Sequence, residues 1–159
     1  MTNNDILRRV RYIFDYNDEK MMALFALAGL ETSRSDVSAW LKKPEDEGFA
    51  ALGDIELATF LDGFIVEKRG PKDGEKHKPE TEINNNIVFR KLKIALDLKA
   101  EDILDLLTSV DSSISKHELS AFFRKPGHKH YRACNNQLLR NFLKAVQLRE
   151  RPSSPWTES

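Results

Sequence analysis

The chain has 159 residues, of which 40% are hydrophobic and 31% are charged, a composition that excludes a disordered chain and is typical of a globular one. Its apolar runs are far shorter than the roughly 18 residues of a membrane span, so no such span is predicted. The 25 basic residues balance 25 acidic ones, so the overall charge excludes no class of partner. The single cysteine, Cys134, excludes an intrachain disulfide. It also fits a reducing compartment, and the first residues show no signal-peptide pattern.

The sequence repeats itself after 82 residues. Residues 4–69 align with residues 86–151 without a gap, and 15 of the 66 aligned pairs are identical. A period of this length predicts two related helical units rather than a solenoid of short repeats. The predicted organisation is a first unit at 3–69, a charged linker rich in glycine and proline at 70–84, a second unit at 85–151 and a mobile tail at 152–159.

The first helix of each unit shows apolar residues at helical spacing. These residues are Ile6, Leu7, Val10, Ile13 and Phe14 in the first unit, and Val88, Phe89, Leu92, Ala95 and Leu96 in the second. Asn4 and Asn86 stand before these faces and are predicted to be N-caps.

The second helix is predicted to begin at the acidic pairs 18–19 and 101–102, which favour the positive end of a helix dipole. Its apolar face in the first unit consists of Met21, Met22, Leu24, Phe25 and Ala28. Gly29 is predicted to end this helix in the left-handed conformation, and Asp111 at the matching position predicts a weaker stop.

The third helix has the clearest local signature. Ser33–Asp36 and Ser115–Glu118 both follow the capping-box pattern, in which a serine and an acidic residue three positions later exchange hydrogen bonds with backbone amides. Each helix is predicted to end before a Lys–Pro pair, at 43–44 and 125–126. The predicted buried faces are Val37, Trp40 and Leu41 in the first unit, and Leu119, Phe122 and Phe123 in the second.

A loop that Phe49 or Tyr131 is predicted to anchor then leads to the fourth helix. That helix carries apolar residues at Ile55, Leu57, Ala58, Leu61, Phe64 and Ile65, matched by Leu138, Leu139, Leu143, Val146 and Gln147. No segment alternates with period two, so the predicted fold is all-α, with two tandem four-helix units and about eight helices. The second and third helices of each unit outline a corner like that of a helix-turn-helix motif.

Several strings in combination resemble a known family: residues 4–12, 25–29 and 36–43 in the first unit, and 118–128 and 137–144 in the second. Over residues 3–151 the chain resembles the YehS-like bacterial proteins, which are built from two copies of a small domain. The resemblance implies a cytoplasmic bacterial protein and assigns no activity and no catalytic residue.

The chemical motifs that we sought favour no enzyme. His117, His128, His130 and Cys134 offer metal-binding atoms, but the first unit has Asp46, Gly48 and Leu52 at three of these positions, and structural zinc sites usually need paired cysteines. We therefore favour solvated histidines and a small buried cysteine, with no metal, no cofactor and no catalytic thiol. The pairs Asp15 with Glu19 and Asp97 with Glu101 could serve as acid and base, but a structural role at the start of the second helix is the simpler interpretation.

Charge separates the two units more clearly than any motif does. Residues 1–70 carry 9 basic and 13 acidic side chains, whereas residues 116–151 carry 9 basic and only 2 acidic ones. Such a density of positive charge is typical of a surface that binds polyanions. The candidate nucleic-acid or anion site consists of Arg124, Lys125, Lys129, Tyr131, Arg132, Arg140 and Lys144, with Tyr131 placed to stack on a base.

Two alternatives stay open at this stage. The helix-turn-helix outline favours sequence-specific DNA binding, although Val37 falls late for the usual packing position and the second unit lacks the turn glycine. The opposite charges of the units favour a protein partner, docking of one unit on the other, or a homo-oligomer. The sequence therefore predicts a non-enzymatic binding module, either for nucleic acid or another polyanion, or for protein.

Overall fold

The computed structural model describes residues 1–71 and 78–156. Within these residues the chain forms eight α-helices and no strand, as the sequence predicts. The helices of the first unit are α1 (Asn3–Ile13), α2 (Asp18–Leu27), α3 (Arg34–Leu41) and α4 (Asp54–Arg69). Those of the second unit are α5 (Asn85–Ala95), α6 (Ala100–Thr108), α7 (Lys116–Phe122) and α8 (Asn136–Glu150). None of these helices is long and apolar enough to cross a membrane.

The chain divides into two compact units at the boundary between Ile83 and Asn84. Part of the predicted linker, residues 72–77, lies outside the described residues. Ile83, near the end of this linker, belongs to the first unit, and its amide donates to the Asp54 carboxylate at 3.1 Å. In the predicted tail, the Pro155 carbonyl accepts a hydrogen bond from Gln147 at 3.2 Å. Residues 157–159 lie outside the described part of the chain.

The N-caps of α1 and α5 are Thr2 and Asn84, and the prediction that Asn4 and Asn86 cap these helices is wrong. Each cap side chain accepts a hydrogen bond from the amide three residues later, so both helices begin before the predicted caps. Asn4 and Asn86 lie inside the helices and are buried. The capping boxes at Ser33 and Ser115 are both confirmed.

Left-handed residues end the first two helices of each unit. Asp15 and Asp97 follow α1 and α5 with φ angles of 55° and 53°, a conformation that aspartate tolerates better than most residues. Gly29 follows α2 as predicted, with φ at 91°. Asp111 adopts φ of 57° after α6, so the backbone turns in the same sense although no glycine is present.

Each unit has its own apolar core. The largest fully buried side chains include Phe25, Phe60 and Phe64 in the first unit, and Phe89 and Phe142 in the second. Val37 and Leu119 are buried as predicted, whereas Trp40 and Phe122 are only half-buried, against the rings of Phe25 and Phe89. The predicted burial of Ile55 is wrong, because this side chain is 47% exposed in the first turn of α4.

Candidate nucleic-acid interface

The loop between α7 and α8 has a defined backbone. The His128 amide donates to the Lys125 carbonyl at 2.9 Å, and the Tyr131 amide donates to the His128 carbonyl at 3.0 Å. The Arg132 amide then returns to the Ala121 carbonyl of α7 at 3.2 Å. Two consecutive turns and one hydrogen bond back to the helix thus hold the loop against α7.

The buried side chain of Asn86 anchors this loop from α5. Its amide nitrogen donates to the carbonyls of Phe122 and Arg132, at 3.1 and 2.7 Å. Its oxygen accepts from the Cys134 amide at 2.9 Å. One asparagine therefore satisfies three backbone groups that would otherwise be buried without partners. The adjacent Asn85 adds a hydrogen bond to the Cys134 carbonyl at 3.0 Å.

The first unit contains the same arrangement with different side chains on its surface. Asn4 contacts the carbonyls of Trp40 and Ala50 and the amide of Leu52, at 2.9, 2.9 and 3.0 Å. The positions that match Lys129 and Arg132 are occupied there by Glu47 and Ala50. Both units therefore hold this loop through the same hydrogen bonds, although the backbone differs at Gly48, which has a φ of 85°, whereas the matching His130 has no positive φ. Only the second unit presents the loop with basic side chains.

The loop side chains of the candidate site lie at the surface. Lys125, Lys129 and Arg132 are exposed, whereas Arg124 and Tyr131 are half-buried. No salt bridge involves Lys125, Lys129 or Arg132 in the part of the chain that the structure describes. The Nε atom of Arg124 is buried and has no hydrogen-bond partner among the described residues. Three cations are thus left for solvent or a ligand.

The α8 members of the site lie one turn apart. Arg140 and Lys144 share one face of α8, as predicted from their spacing, and both are half-buried. Arg140 also donates to Gln137 at 3.4 Å, a long hydrogen bond. Whether these two residues and the loop bind one ligand stays a prediction.

The structure adds basic residues that a count along the sequence missed. Lys93 of α5 lies with its ammonium 5.1 Å from the centre of the Phe123 ring, at the end of α7. Arg90 is one turn from both Asn86 and Lys93, so it faces the same end of α7, and it is exposed. The repeat offered a signal, because Arg8 and Arg90 are one of its identical pairs. In the first unit, Arg8 donates to the carbonyl of Lys42, the counterpart of Arg124.

Three histidine rings lie close together where the loop meets α7. The rings of His128 and His130 are 5.5 Å apart, and that of His117 on α7 is 6.2 Å from His130. The His130 amide donates to Nδ1 of His128 at 3.0 Å. In the described residues, no group of three or more His, Cys, Asp or Glu side chains is placed to hold a metal ion. The histidines instead extend the exposed polar surface beside the three loop cations.

Cys134 is buried, with 5% of its surface exposed, and its thiol contacts the Asn135 carbonyl at 3.6 Å. Burial raises the pKa of this thiol to about 11. A nucleophilic thiol requires the opposite shift, because the thiolate is the reactive form. This environment supports the interpretation of Cys134 as a small core residue.

We expect Cys134 to react at least about 100-fold more slowly with a disulfide reagent at pH 8 in the folded protein than in denaturant, because so little thiolate is present. Burial of the neutral thiol should contribute its full share to the free energy of unfolding below pH 9. That contribution should be lost as the pH rises toward 11, because the thiol ionises at a lower pH in the unfolded chain than in the folded one. Absorbance of the released thiolate measures the rate, and Cys134→Ser provides the blank. Equal rates in the two states would show that the thiol is accessible.

The paired carboxylates have structural contacts in both units. Glu19 lies 3.2 Å from Arg34, and Glu101 lies 3.1 Å from Lys116, so each glutamate connects the second helix to the start of the third. A hydrogen bond from its own backbone, followed by the Lys116 ammonium, lowers the pKa of Glu101. Asp15 and Asp97 occupy the left-handed turns described above. These contacts support the structural interpretation over an acid–base pair.

Comparison with known proteins agrees with the duplication. Residues 3–70 and 85–151 each match the family described as Protein of unknown function (DUF1456). The chain is also 43% identical over 151 residues to the Uncharacterized protein YehS of Escherichia coli (strain K12), covering 94% of this chain and 97% of that relative. No solved structure matches the chain. Two matched segments and a relative of nearly equal length show that the chain belongs to the DUF1456 family, with two copies of its domain.

Proposed function

We propose that the protein is a non-enzymatic binding module that contacts nucleic acid through the basic loop, defined here as residues 124–132, together with the basic face of α8. The observation that carries the proposal is the difference in charge between two loops that the same hydrogen bonds hold in place. Lys129 and Arg132 replace Glu47 and Ala50 on a backbone that an asparagine fixes in the same way in both units. The second unit thus presents basic side chains on a loop that is anchored in the same way as the loop of the first unit.

A fixed loop suits the recognition of phosphates. Exposed lysine and arginine side chains on an ordered backbone place their charges close together without an ordering cost to the main chain. Lys93 and Arg90 extend the positive charge from the loop onto α5. Tyr131 lies between Lys129 and Arg132 in the same loop and offers a half-buried ring, which favours a single-stranded ligand with unstacked bases over a duplex.

The test is a triple charge reversal, Lys125→Glu, Lys129→Glu and Arg132→Glu, which leaves the half-buried Arg124 untouched. Fluorescence anisotropy with single-stranded RNA, single-stranded DNA and duplex DNA of mixed sequence would measure affinity over a range of salt. Each phosphate contact contributes about 0.7–0.9 to the slope of log affinity against log salt, so the triple variant should lose about 2–3 from that slope.

The first unit supplies a matched control and a gain-of-function variant. Lys43→Glu, at the position equivalent to Lys125, should leave binding unchanged, because its loop carries no further cations except Lys42. Glu47→Lys with Ala50→Arg should create a second basic loop and strengthen binding. If the unmodified protein binds none of the three nucleic acids at low salt, the proposal is wrong.

The opposite charges of the units favour a second candidate, a protein-interaction or self-associating module. Residues 1–70 carry a net charge of −4 and residues 84–159 carry +5, by count of Lys, Arg, Asp and Glu. Electrostatic association between chains weakens with salt. Light scattering after size-exclusion chromatography at low and high salt tests this candidate: a dimer or larger species at low salt that becomes a monomer at high salt supports it.

A further inference from the structure

The second unit contains an open groove between α6 and α8. The groove has a volume of about 720 Å³ and is lined by the α5–α6 connection, α6 and the C-terminal part of α8. Leu96, Leu106 and Leu148 form its apolar surface, and all three are half-exposed. Leu24, which matches Leu106, is fully buried in the first unit.

Aromatic rings close the equivalent place in the first unit. Phe14 lies 5.1 Å from Phe64 and 5.9 Å from Tyr16, measured between ring centres. The matching residues of the second unit are Leu96, Val146 and Leu98. Three aromatic side chains have thus been replaced by smaller aliphatic ones, and two of the replacements, Leu96 and Leu98, line the groove.

An ion pair and a glycine also hold α2 against α4 in the first unit. The Lys20 ammonium lies 2.7 Å from the Glu67 carboxylate. A Cβ atom on Gly63 would overlap the Leu24 carbonyl oxygen, so the two backbones are in direct contact there. The second unit has Ala145 at the position of Gly63, and its Cβ atom does not permit the same close contact of two helix backbones.

The positions of the Lys20–Glu67 ion pair carry the opposite charges in the second unit, and no ion pair joins them there. Asp102 replaces Lys20 and Arg149 replaces Glu67. Asp102 accepts a hydrogen bond from the Lys99 amide at 2.8 Å, and Arg149 pairs with Glu150 at 3.1 Å. No salt bridge between Asp102 and Arg149 occurs among the described residues. The aromatic rings, the ion pair and the glycine that hold α2 against α4 in the first unit are therefore all absent from the matching positions of the second unit.

We infer that the groove between α6 and α8 is a docking site for a basic amphipathic helix of a protein partner. Charge complementarity identifies the occupant: Asp97, Asp102 and Asp105 line the groove, against the single cation Arg149. The leucines on α6, on α8 and at the end of α5 suit a helix that inserts apolar side chains into a groove. A helix with lysines or arginines beside a leucine stripe would satisfy both the apolar surface and the carboxylates.

The experiment uses a fluorescein-labelled helical peptide of leucine and lysine as probe, and the same peptide with glutamate in place of lysine as its charge control. Fluorescence anisotropy with the full chain should show binding of the lysine peptide with a Kd below about 100 μM and no binding of the glutamate peptide. Asp105→Lys and Leu148→Glu, both at accessible positions, should each weaken binding by about tenfold. Glu45→Lys, an exposed charge reversal in the first unit, should change the affinity by less than twofold.

A closed groove gives an independent check. Leu96→Phe with Leu98→Tyr restores two of the rings found in the first unit and should abolish peptide binding while circular dichroism shows an unchanged helical content. The triple charge reversal in the basic loop should leave peptide binding unchanged. Failure of the nucleic-acid proposal can therefore be distinguished from failure of the groove proposal. Equal binding of the two peptides, no binding of the lysine peptide, or an unchanged affinity in both Asp105→Lys and Leu148→Glu would overturn the inference.

Discussion

Replacing Asn86 by alanine should destabilise the second unit by about 3–5 kcal/mol. The substitution leaves the carbonyls of Phe122 and Arg132 and the amide of Cys134 without their partner, and each unsatisfied buried group costs about 1–3 kcal/mol. Urea unfolding followed by circular dichroism measures the loss. Because the chain has two units, the transition should be fitted with separate midpoints.

The neighbouring residue provides a matched control. Asn85 is half-buried and donates to one backbone carbonyl, so Asn85→Ala should cost only about 1 kcal/mol. Hydrogen exchange gives a second measurement, since the Cys134 amide should lose its protection in Asn86→Ala. A loss in Asn86→Ala no larger than that in Asn85→Ala would mean that the three hydrogen bonds do not hold the loop.

The second large effect is expected at Gly63. An added methyl group would overlap the Leu24 carbonyl, and the obstacle is backbone, which cannot move aside as a flexible side chain can. Gly63→Ala should therefore push α2 away from α4 and cost about 2–3 kcal/mol, in spite of the better helix propensity of alanine. Thermal and urea unfolding of the first unit measure this loss.

Two substitutions serve as controls for Gly63→Ala. Gly127→Ala adds a methyl group that meets no atom within 4 Å and should change stability by less than about 1 kcal/mol. Ala145→Gly in the second unit removes a methyl group from a helix and should cost about 1 kcal/mol. If Gly63→Ala is as stable as the unmodified protein, the close contact of α2 and α4 does not exist in solution.

The sequence by itself determined the features that depend on neighbouring residues. Helical periodicity, the capping boxes at Ser33 and Ser115 and the turn at Gly29 each involve residues within about four positions, where the backbone dictates which side chains meet. The gapless repeat predicted two units of the same fold. The excess of basic residues after position 116 followed from counting and needed no structure.

The tertiary structure decided what depends on residues far apart in the chain. Asn4 and Asn86 resembled N-caps locally, yet their partners lie 36 to 48 residues away, so only packing could reveal that they anchor the loops. Lys93 joins the basic surface for the same reason, because it meets Phe123 across two helices. The groove between α6 and α8 arises from the joint loss of rings, an ion pair and a glycine at separate positions, and only helix packing brings those positions together.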